Sequence, residues 1–276
     1  MITVSSKVLE ALGRYDLPPR SVVLAWFGQA SVALRLGHAT VLVDPFLSPH
    51  PDRLVPSPFA AEDAHGVDVL LITHDHLDHL DEEALPAIAA ASPAAVVLVP
   101  EEIVERVTAL GVEPARVLGL PSDGGTDIGS VRVDAVPACH GDGMGDAYRL
   151  GPFLGYVVSA GGARVYHAGD TIPFDGLVER LRELGVDLAL LPINGRDAER
   201  EAQGIVGNMD EQEAAQLALD IGVDAVMPLH WDMFAANPGD PAAFVAAAGT
   251  TVIVPQRLRP FVYTAPEETP LDAPVE

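Results

Sequence analysis

Residues 67–79 read Val-Asp-Val-Leu-Leu-Ile-Thr-His-Asp-His-Leu-Asp-His, and no other stretch of this 276-residue chain constrains it as much. A strand-like apolar run empties into a loop that carries His74, His76, Asp78 and His79 within six positions. Imidazole nitrogens and carboxylate oxygens are the ligands that suit zinc and neighbouring divalent metals. Packing four such groups beside a core strand is costly unless positive charge lies between them. The segment therefore reads as a metal-binding loop rather than as a polar surface turn.

Further strand-like segments, rich in Val, Ile and Leu, lie at 22–27, 31–36, 39–44, 94–99, 131–136, 153–159, 163–168, 186–192, 223–228 and 252–254. Helical periodicity is present near 81–91, 101–110, 176–184, 210–220 and 241–248. Asp210 with Glu213 forms a capping-box pattern, and Gly111 and Gly185 stand where helices end. Hairpins followed by strand–helix alternation argue for stacked layers of sheet and helix. The pattern occurs twice: a hairpin over 31–44 turns at Gly37-His38 and ends at Asp44, and one over 153–170 turns at Gly161-Gly162 and ends at Asp170. No linker-like composition separates the halves, so residues 1–276 are expected to form one pseudo-repeated α/β domain. The Pro-rich stretch 45–58 is expected to be a surface loop, and the tail from about 264 flexible.

The remaining candidates each follow the carboxyl end of a strand. His140 follows 131–139, Asp170 follows 164–169, Asn194, Gly195, Arg196 and Asp197 follow 187–193, and His230 follows 224–229. In α/β sheets ligands gather beyond these ends, which points to a single site. The ligand set is five histidines and two aspartates, too many for one tetrahedral ion and right for two. His74, His76 and His140 are assigned to a first metal, Asp78, His79 and His230 to a second, with Asp170 bridging through its two oxygens. Two ions roughly 3.5–4 Å apart can share a hydroxide, its parent water acidified from ~15.7 towards ~7, and this hydroxide is the expected nucleophile.

Other polar residues carry two readings each. His38, His50 and His65 are expected to be solvated, whereas His167 either supports the site or packs in the core. Cys139 precedes His140 on a strand and so faces the other way, into the core. Asn194 can donate to an oxyanion or simply shape a turn. Arg196 offers a fork to phosphate or carboxylate, or pairs with Asp197 or Glu199. The segment 141–152, with Gly141, Gly143, Gly145 and Gly151, reads as a lid or a plain loop; its Asp142 and Asp146 either meet a substrate hydroxyl or stay in solvent.

His74, His76, Asp78, His79, His140, Asp170 and His230 together resemble the metallo-β-lactamase superfamily, whose pattern is His-x-His-x-Asp-His followed by His, Asp and His. Asp44 matches the aspartate that closes an early strand and buttresses the metal loop. The resemblance covers nearly the whole chain and implies a four-layer αββα sandwich of two mixed sheets flanked by helices, with the dimetal site at one edge. The segments 193–197, 207–209 and 230–234, together with 26–31, are similar to the L-ascorbate-6-phosphate lactonase branch. That likeness implies hydrolysis of a small lactone or ester, a phosphorylated sugar lactone included. The implied cofactors are two divalent ions: zinc, manganese or iron.

Charge and composition narrow the partners. The formal charge is −24, from 40 acidic against 16 basic residues, and Lys7 is the sole lysine. Such a surface repels phosphate backbones, so nucleic acid is excluded and a small-molecule substrate expected. No apolar run approaches the ~20 residues of a membrane span. The start, Met-Ile-Thr-Val-Ser-Ser-Lys, has no signal-peptide pattern, and a single cysteine fits a reducing compartment. A cytoplasmic protein without membrane contact is expected, and a homo-oligomer stays open.

Rival functions remain on the same scaffold: a phosphodiesterase or nuclease, a phospholipase-D-type enzyme, or a metal-binding protein without catalysis. Only 60 positions separate Asp170 from His230, which leaves no room for an inserted RNA-gripping domain. The 46 residues after His230 are too few for the helical extension of a glyoxalase-II, and a flavodiiron site would need a carboxylate in place of His76.

Overall fold

The computed structural model describes residues 8–142 and 148–267. Among them a short helix, α1 (Val8–Leu12), precedes six strands: β1 (Ser21–Gly28), β2 (Ser31–Leu36), β3 (Ala39–Val43), β4 (Val69–Leu71), β5 (Val96–Pro100) and β6 (Val117–Leu120). Helices α2 (Leu85–Ala91) and α3 (Val104–Ala109) fall within this half. The second half contributes β7 (Gly125–Ile128), β8 (Val131–His140), β9 (Arg149–Ala160), β10 (Ala163–His167), β11 (Leu188–Pro192), β12 (Ala225–Leu229) and β13 (Thr251–Val252). Its helices are α4 (Leu177–Leu184), α5 (Ala198–Ala202), α6 (Glu211–Ile221) and α7 (Pro241–Ala247), and β14 (Phe261–Thr264) returns to the first sheet.

Two seven-stranded mixed sheets result, ordered β14-β1-β2-β3-β4-β5-β6 and β13-β12-β11-β10-β9-β8-β7. The expected repetition is visible in the ladders. β1, β2 and β3 run antiparallel and β3 to β6 parallel, while β8, β9 and β10 run antiparallel and β10 to β13 parallel. β14 lies antiparallel on β1 as β7 does on β8.

Strand burial explains the layering. Every residue of β1 is buried, and alternate residues serve different cores. Val22, Leu24 and Trp26 meet the other sheet, whereas Val23, Ala25 and Phe27 meet the helices outside. In β11, Leu188 and Leu190 point inward between the sheets and Ala189 and Leu191 point outward under α4 and α6. A strand apolar on both faces needs cover on both, and this is why these runs lack polar alternation. The stacked layers expected from the residue pattern, and the αββα sandwich implied by the resemblance, are the architecture observed.

Helix ends follow local rules. Asp210 accepts from Glu213 N at 2.8 Å while the Glu213 carboxylate accepts from Asp210 N at 3.1 Å, completing the capping box of α6. Some expectations need correction. The helix expected from 81 begins at Leu85: Leu85 N reaches back to Asp81 O at 2.9 Å, but Pro86 has no N–H with which to bond the Glu82 carbonyl. Strands β6, β7 and β14 and helices α1 and α5 escaped the sequence reading, being short and partly polar. At the start of the expected tail, β14 pairs Thr264 with Ser21 and buried Ala265 donates to Arg20 O at 2.9 Å, and residues 268–276 of it lie outside the described residues. Within 45–58, Pro45 to Ser48 turn inward and are buried. No helix of the described residues is long and apolar enough to cross a membrane.

Candidate metal centre

The first half supplies a loop, the second a set of strand ends. β4 stops at Leu71, and Thr73 is the pivot on which the His/Asp loop turns. Its N–H and hydroxyl donate to the two oxygens of Asp44, at 2.8 and 2.7 Å, and its carbonyl accepts from Leu154 N on β9 at 3.0 Å. Asp44, fully buried with φ +44°, also accepts from His79 Nδ1 at 2.7 Å. His74 Nδ1 lies 3.0 Å from the Thr73 hydroxyl, which accepts from it while giving its own proton to Asp44. One buried carboxylate thereby orients two imidazoles, directly and through Thr73, and leaves both Nε2 atoms pointing elsewhere.

Across the sandwich, β10 ends at His167, whose Nε2 donates to Ala30 O at 2.8 Å and whose Nδ1 accepts from Gly169 N at 3.1 Å. Of the two readings for His167, the structure selects the buried supporting role. Gly169 has φ +60°, and a Cβ there would meet Leu154 O at 2.7 Å and Thr73 Cβ at 2.9 Å. Only glycine lets the chain press so close to Thr73, and the next residue is Asp170.

The seven candidate ligands converge. His74, His76 and His140 each offer an atom within 4.8 Å of the others, as do Asp78, His79 and His230, and also His74, His79 and Asp170. Asp170 lies among the imidazoles: Oδ1 is 3.3 Å from His79 Nε2, and Oδ2 is 3.3 Å from His230 Nε2 and 3.7 Å from His140 Nε2. His230 Nε2 is 3.2 Å from Asp78 Oδ2. Among the described residues, His74 Nε2, His79 Nε2, both nitrogens of His140 and Asp170 Oδ1 are buried with no hydrogen-bond partner. Buried polar atoms are normally partnered. A convergent set of unpartnered lone pairs is what a cation's ligands leave in the protein alone, so the donor set fits divalent metal.

The imidazoles divide into two electrostatic kinds. Burial depresses His74 well below the ordinary histidine range, helped by His79 and His76 beside it, and burial pushes His140 down to about 3. Burial also opposes a charge on His79 and His230, but carboxylates reverse the outcome. Asp170, Asp78 and Asp44 hold His79 well above its usual value, and Asp170 with Asp78 raises His230 to about 9. Burial likewise disfavours the charged carboxylates, yet His79 and His230 hold Asp78 and Asp170 below the usual range.

Two supporting residues were not singled out in the sequence. Gln29, fully buried with φ +53°, donates through Nε2 to Asp78 Oδ2 at 2.7 Å and lies 3.1 Å from His230 Nε2. Its carbonyl accepts from His230 N at 3.1 Å. Asp81 anchors the far end of the metal loop to Leu47 and Ser48. The signal for Asp81 was its place just past the His/Asp run; Gln29 lay within the 26–31 segment noted for its likeness, but only the fold brings the β1–β2 turn to Asp78.

Asn194 and Arg196 are not brought to the cluster. The Asn194 amide donates to Asn237 Oδ1 at 2.9 Å and its oxygen accepts from Asn208 at 3.0 Å. The Arg196 fork meets Glu213 at 2.6 and 2.7 Å, and Nη1 also donates to Asn208 O. The pairing expected with Asp197 or Glu199 is therefore replaced by Glu213, the helix-capping residue of α6, which faces the 194–197 loop. Asp197 instead caps α5 and pairs with Arg200. Cys139 is buried, as expected, and burial raises its thiol. His38 and His65 are exposed, but His50 is half-buried against the Phe234 ring. In the 141–152 segment, Asp142 lines the cleft and pairs with Arg149, and Arg149 to Gly151 already belong to β9. Gly143, Gly145 and Asp146 fall outside the described residues.

A cleft of about 710 Å³ opens over the cluster, with His76, Asp78, Asp170 and His230 in its lining and neither Asn194 nor Arg196 among them.

A model of the Beta-lactamase superfamily domain matches residues 39–231. A UPF0173 metal-dependent hydrolase of Rubrobacter xylanophilus is 35% identical over 76% of this chain and 85% of its own length. Another from Aeropyrum pernix is 34% identical over 80% of this chain and 87% of its own. Among solved structures, a metallo hydrolase from the archaeon Ignicoccus hospitalis superposes with a TM-score of 0.70 at 25% identity, covering 88% of this chain and 98% of that one.

Proposed function

The chain belongs to the metallo-β-lactamase superfamily and is a metal-dependent hydrolase, and within that class we propose a dinuclear enzyme that opens a small lactone or cleaves a related carboxylic ester. The observation that carries this reading is the pairing of two three-ligand groups, His74/His76/His140 and Asp78/His79/His230, with Asp170 facing imidazoles of both. Bound there, a pair of divalent cations would acidify a water and polarise the substrate carbonyl.

The chain's own contribution is orientation. Asp44 and Thr73 aim His74 and His79 inward, and His167 and Gly169 hold Asp170 against the same loop. Asp170 acts as a ligand in this reading and not as the acid for the leaving oxygen. Both its oxygens face imidazoles of the cluster, so with cations bound both would be engaged in coordination rather than in carrying a proton. Asn194 is held by Asn208 and Asn237 and so offers no amide to an oxyanion; bound cations would supply that stabilisation.

A phosphorylated sugar lactone is the less supported version of the substrate. Among the described residues of the cleft lining, Arg53 is the single arginine or lysine, alongside Asp52, Asp78, Asp142 and Asp170. The test is turnover of simple esters, lactones and bis(p-nitrophenyl) phosphate by the Mn²⁺- or Zn²⁺-loaded protein, with and without chelator. Chelator-sensitive ester or lactone cleavage is expected. Cleavage of the diester alone would replace this reading with a phosphodiesterase, and no turnover at all with a non-catalytic metal protein.

A further inference from the structure

The lining of the cleft separates by chemistry. Its polar part is the cluster together with Asp52, Arg53, Asp142 and Asn237, while Pro51, Leu54, Leu77, Ile205, Val206 and Phe234 form apolar walls. Leu77 is 53% exposed and Leu54 is 61% exposed. Single exposed leucines are ordinary. Here, however, apolar side chains from four separate chain segments converge on one concavity continuous with a polar cluster, the arrangement expected of a ligand site. Leu77 cannot withdraw, because it stands between His76 and Asp78 on a loop tied at both ends, to Asp44 through Thr73 and to Leu47 and Ser48 through Asp81.

The basic charge in the walls is largely engaged. Arg53 donates to Val55 O at 3.1 Å and to Phe46 O and Ser48 O at 3.0 Å and its guanidinium lies 4.4 Å over the Phe46 ring, while its remaining nitrogen is buried, without a partner and closed off from solvent. The wall carboxylate of Asp52 is exposed, 3.9 Å from His50. Asp142 is paired with Arg149. Among the described residues lining the cleft, none presents an open cationic fork to an anionic group.

We propose that this cleft seats the apolar alkyl or aryl substituent of an uncharged ester or lactone against Leu54, Leu77 and Phe234 while the carbonyl meets the polar cluster. The inference rests on the hydrolase reading above and adds its substrate class. One water is consumed: its oxygen bonds to the acyl carbon, the acyl C–O bond breaks, one proton passes to the leaving oxygen, and the acid is released as carboxylate plus a proton.

The experiment compares p-nitrophenyl acetate, butyrate, hexanoate and octanoate, and γ-lactones with matching side chains, on the Mn²⁺-loaded protein. kcat/KM is expected to rise by up to about fourfold per methylene until the walls are covered. An ester of equal length ending in a carboxylate should be at least about tenfold poorer, since its charge would be desolvated without a partner. Leu77→Asn and Leu54→Asn, both at exposed positions, should each shrink the octanoate-to-acetate ratio by about fivefold or more. Elemental analysis should show the metal content of both variants unchanged. Calorimetry with an uncleavable γ-lactam, bare or bearing a hexyl chain, reads the cleft apart from turnover, and the hexyl form should bind at least about tenfold more tightly. If nothing is hydrolysed yet the hexyl lactam binds as expected, the hydrolase reading falls and the apolar subsite stands. Equal binding of the two lactams, or a flat chain-length series, overturns the subsite whatever the turnover.

Discussion

Asp44 and Asp170 close corresponding hairpins in the two halves, yet their surroundings are opposite. Asp44 is met by a backbone N–H, a hydroxyl and an imidazole, so that each oxygen has a donor. Asp170 Oδ1 has no hydrogen-bond donor among the described residues, and imidazoles face both of its oxygens. The same topological position thus supports in one half and is open to a cation in the other. The halves also differ in how they deliver ligands: one loop after β4 carries four, whereas β8, β10 and β12 carry one each. A hairpin-plus-parallel unit needs only a strand end at the sheet edge, and the residue placed there decides its use.

The comparison breaks most visibly at Asp170. Asp170→Ala should abolish measurable turnover and weaken metal binding beyond the 10–100-fold typical of outer partners, with the circular-dichroism spectrum retained. Near-normal turnover would show that Asp170 is no more than another Asp44. For Asp44→Ala the order of effects reverses. Leaving Thr73 N–H and His79 Nδ1 unpartnered should cost about 3 kcal/mol of stability, seen in denaturant titration. Metal affinity should fall by about 10–100-fold. Unchanged stability would remove Asp44 from its supporting role.

The two ligand groups should also differ in their response to pH. His230, raised to about 9, carries a proton at neutral pH and must lose it to coordinate; His79 is raised in the same sense. Affinity at the Asp78/His79/His230 group should therefore climb about tenfold per pH unit for each displaced proton, with the share due to His230 levelling near 9. His74 and His140 are depressed and already neutral, so the His74/His76/His140 group should respond less. Competition titrations with a chromophoric chelator from pH 6 to 9 would resolve two slopes, and identical slopes would dissolve the distinction. The smallest effect is expected for Gln29→Ala, which frees Asp78 Oδ2 from its donor. About tenfold weaker binding at that one group is anticipated, with Gln29→Glu failing to restore it. Equal loss at both groups would make Gln29 a general packing residue.

The candidate ligands were legible for a definite reason. His74, His76, Asp78 and His79 are consecutive enough to be read as one loop, and His140, Asp170 and His230 each follow a recognisable apolar strand. Gln29 was not legible, since it sits in a two-residue turn and reaches Asp78 only when β1 and β4 share a sheet. Asn194 and Arg196 misled in the opposite direction. Their place past a strand end resembles that of the ligands, but α6 presents Glu213 to Arg196, and the 208 and 237 loops supply amides for Asn194.

Period and order along the chain were enough to show the longer elements, the doubling of the hairpin unit and the candidate donor residues, because these depend on near neighbours and on apolar runs. Tertiary structure alone decided which carboxylate supports and which stays open, that Gly169 must press on Thr73, and that Leu54, Leu77 and Phe234 wall one cleft. Those are contacts between residues far apart in sequence, and a polar side chain's role is set by whichever donors and acceptors folding brings within hydrogen-bond reach.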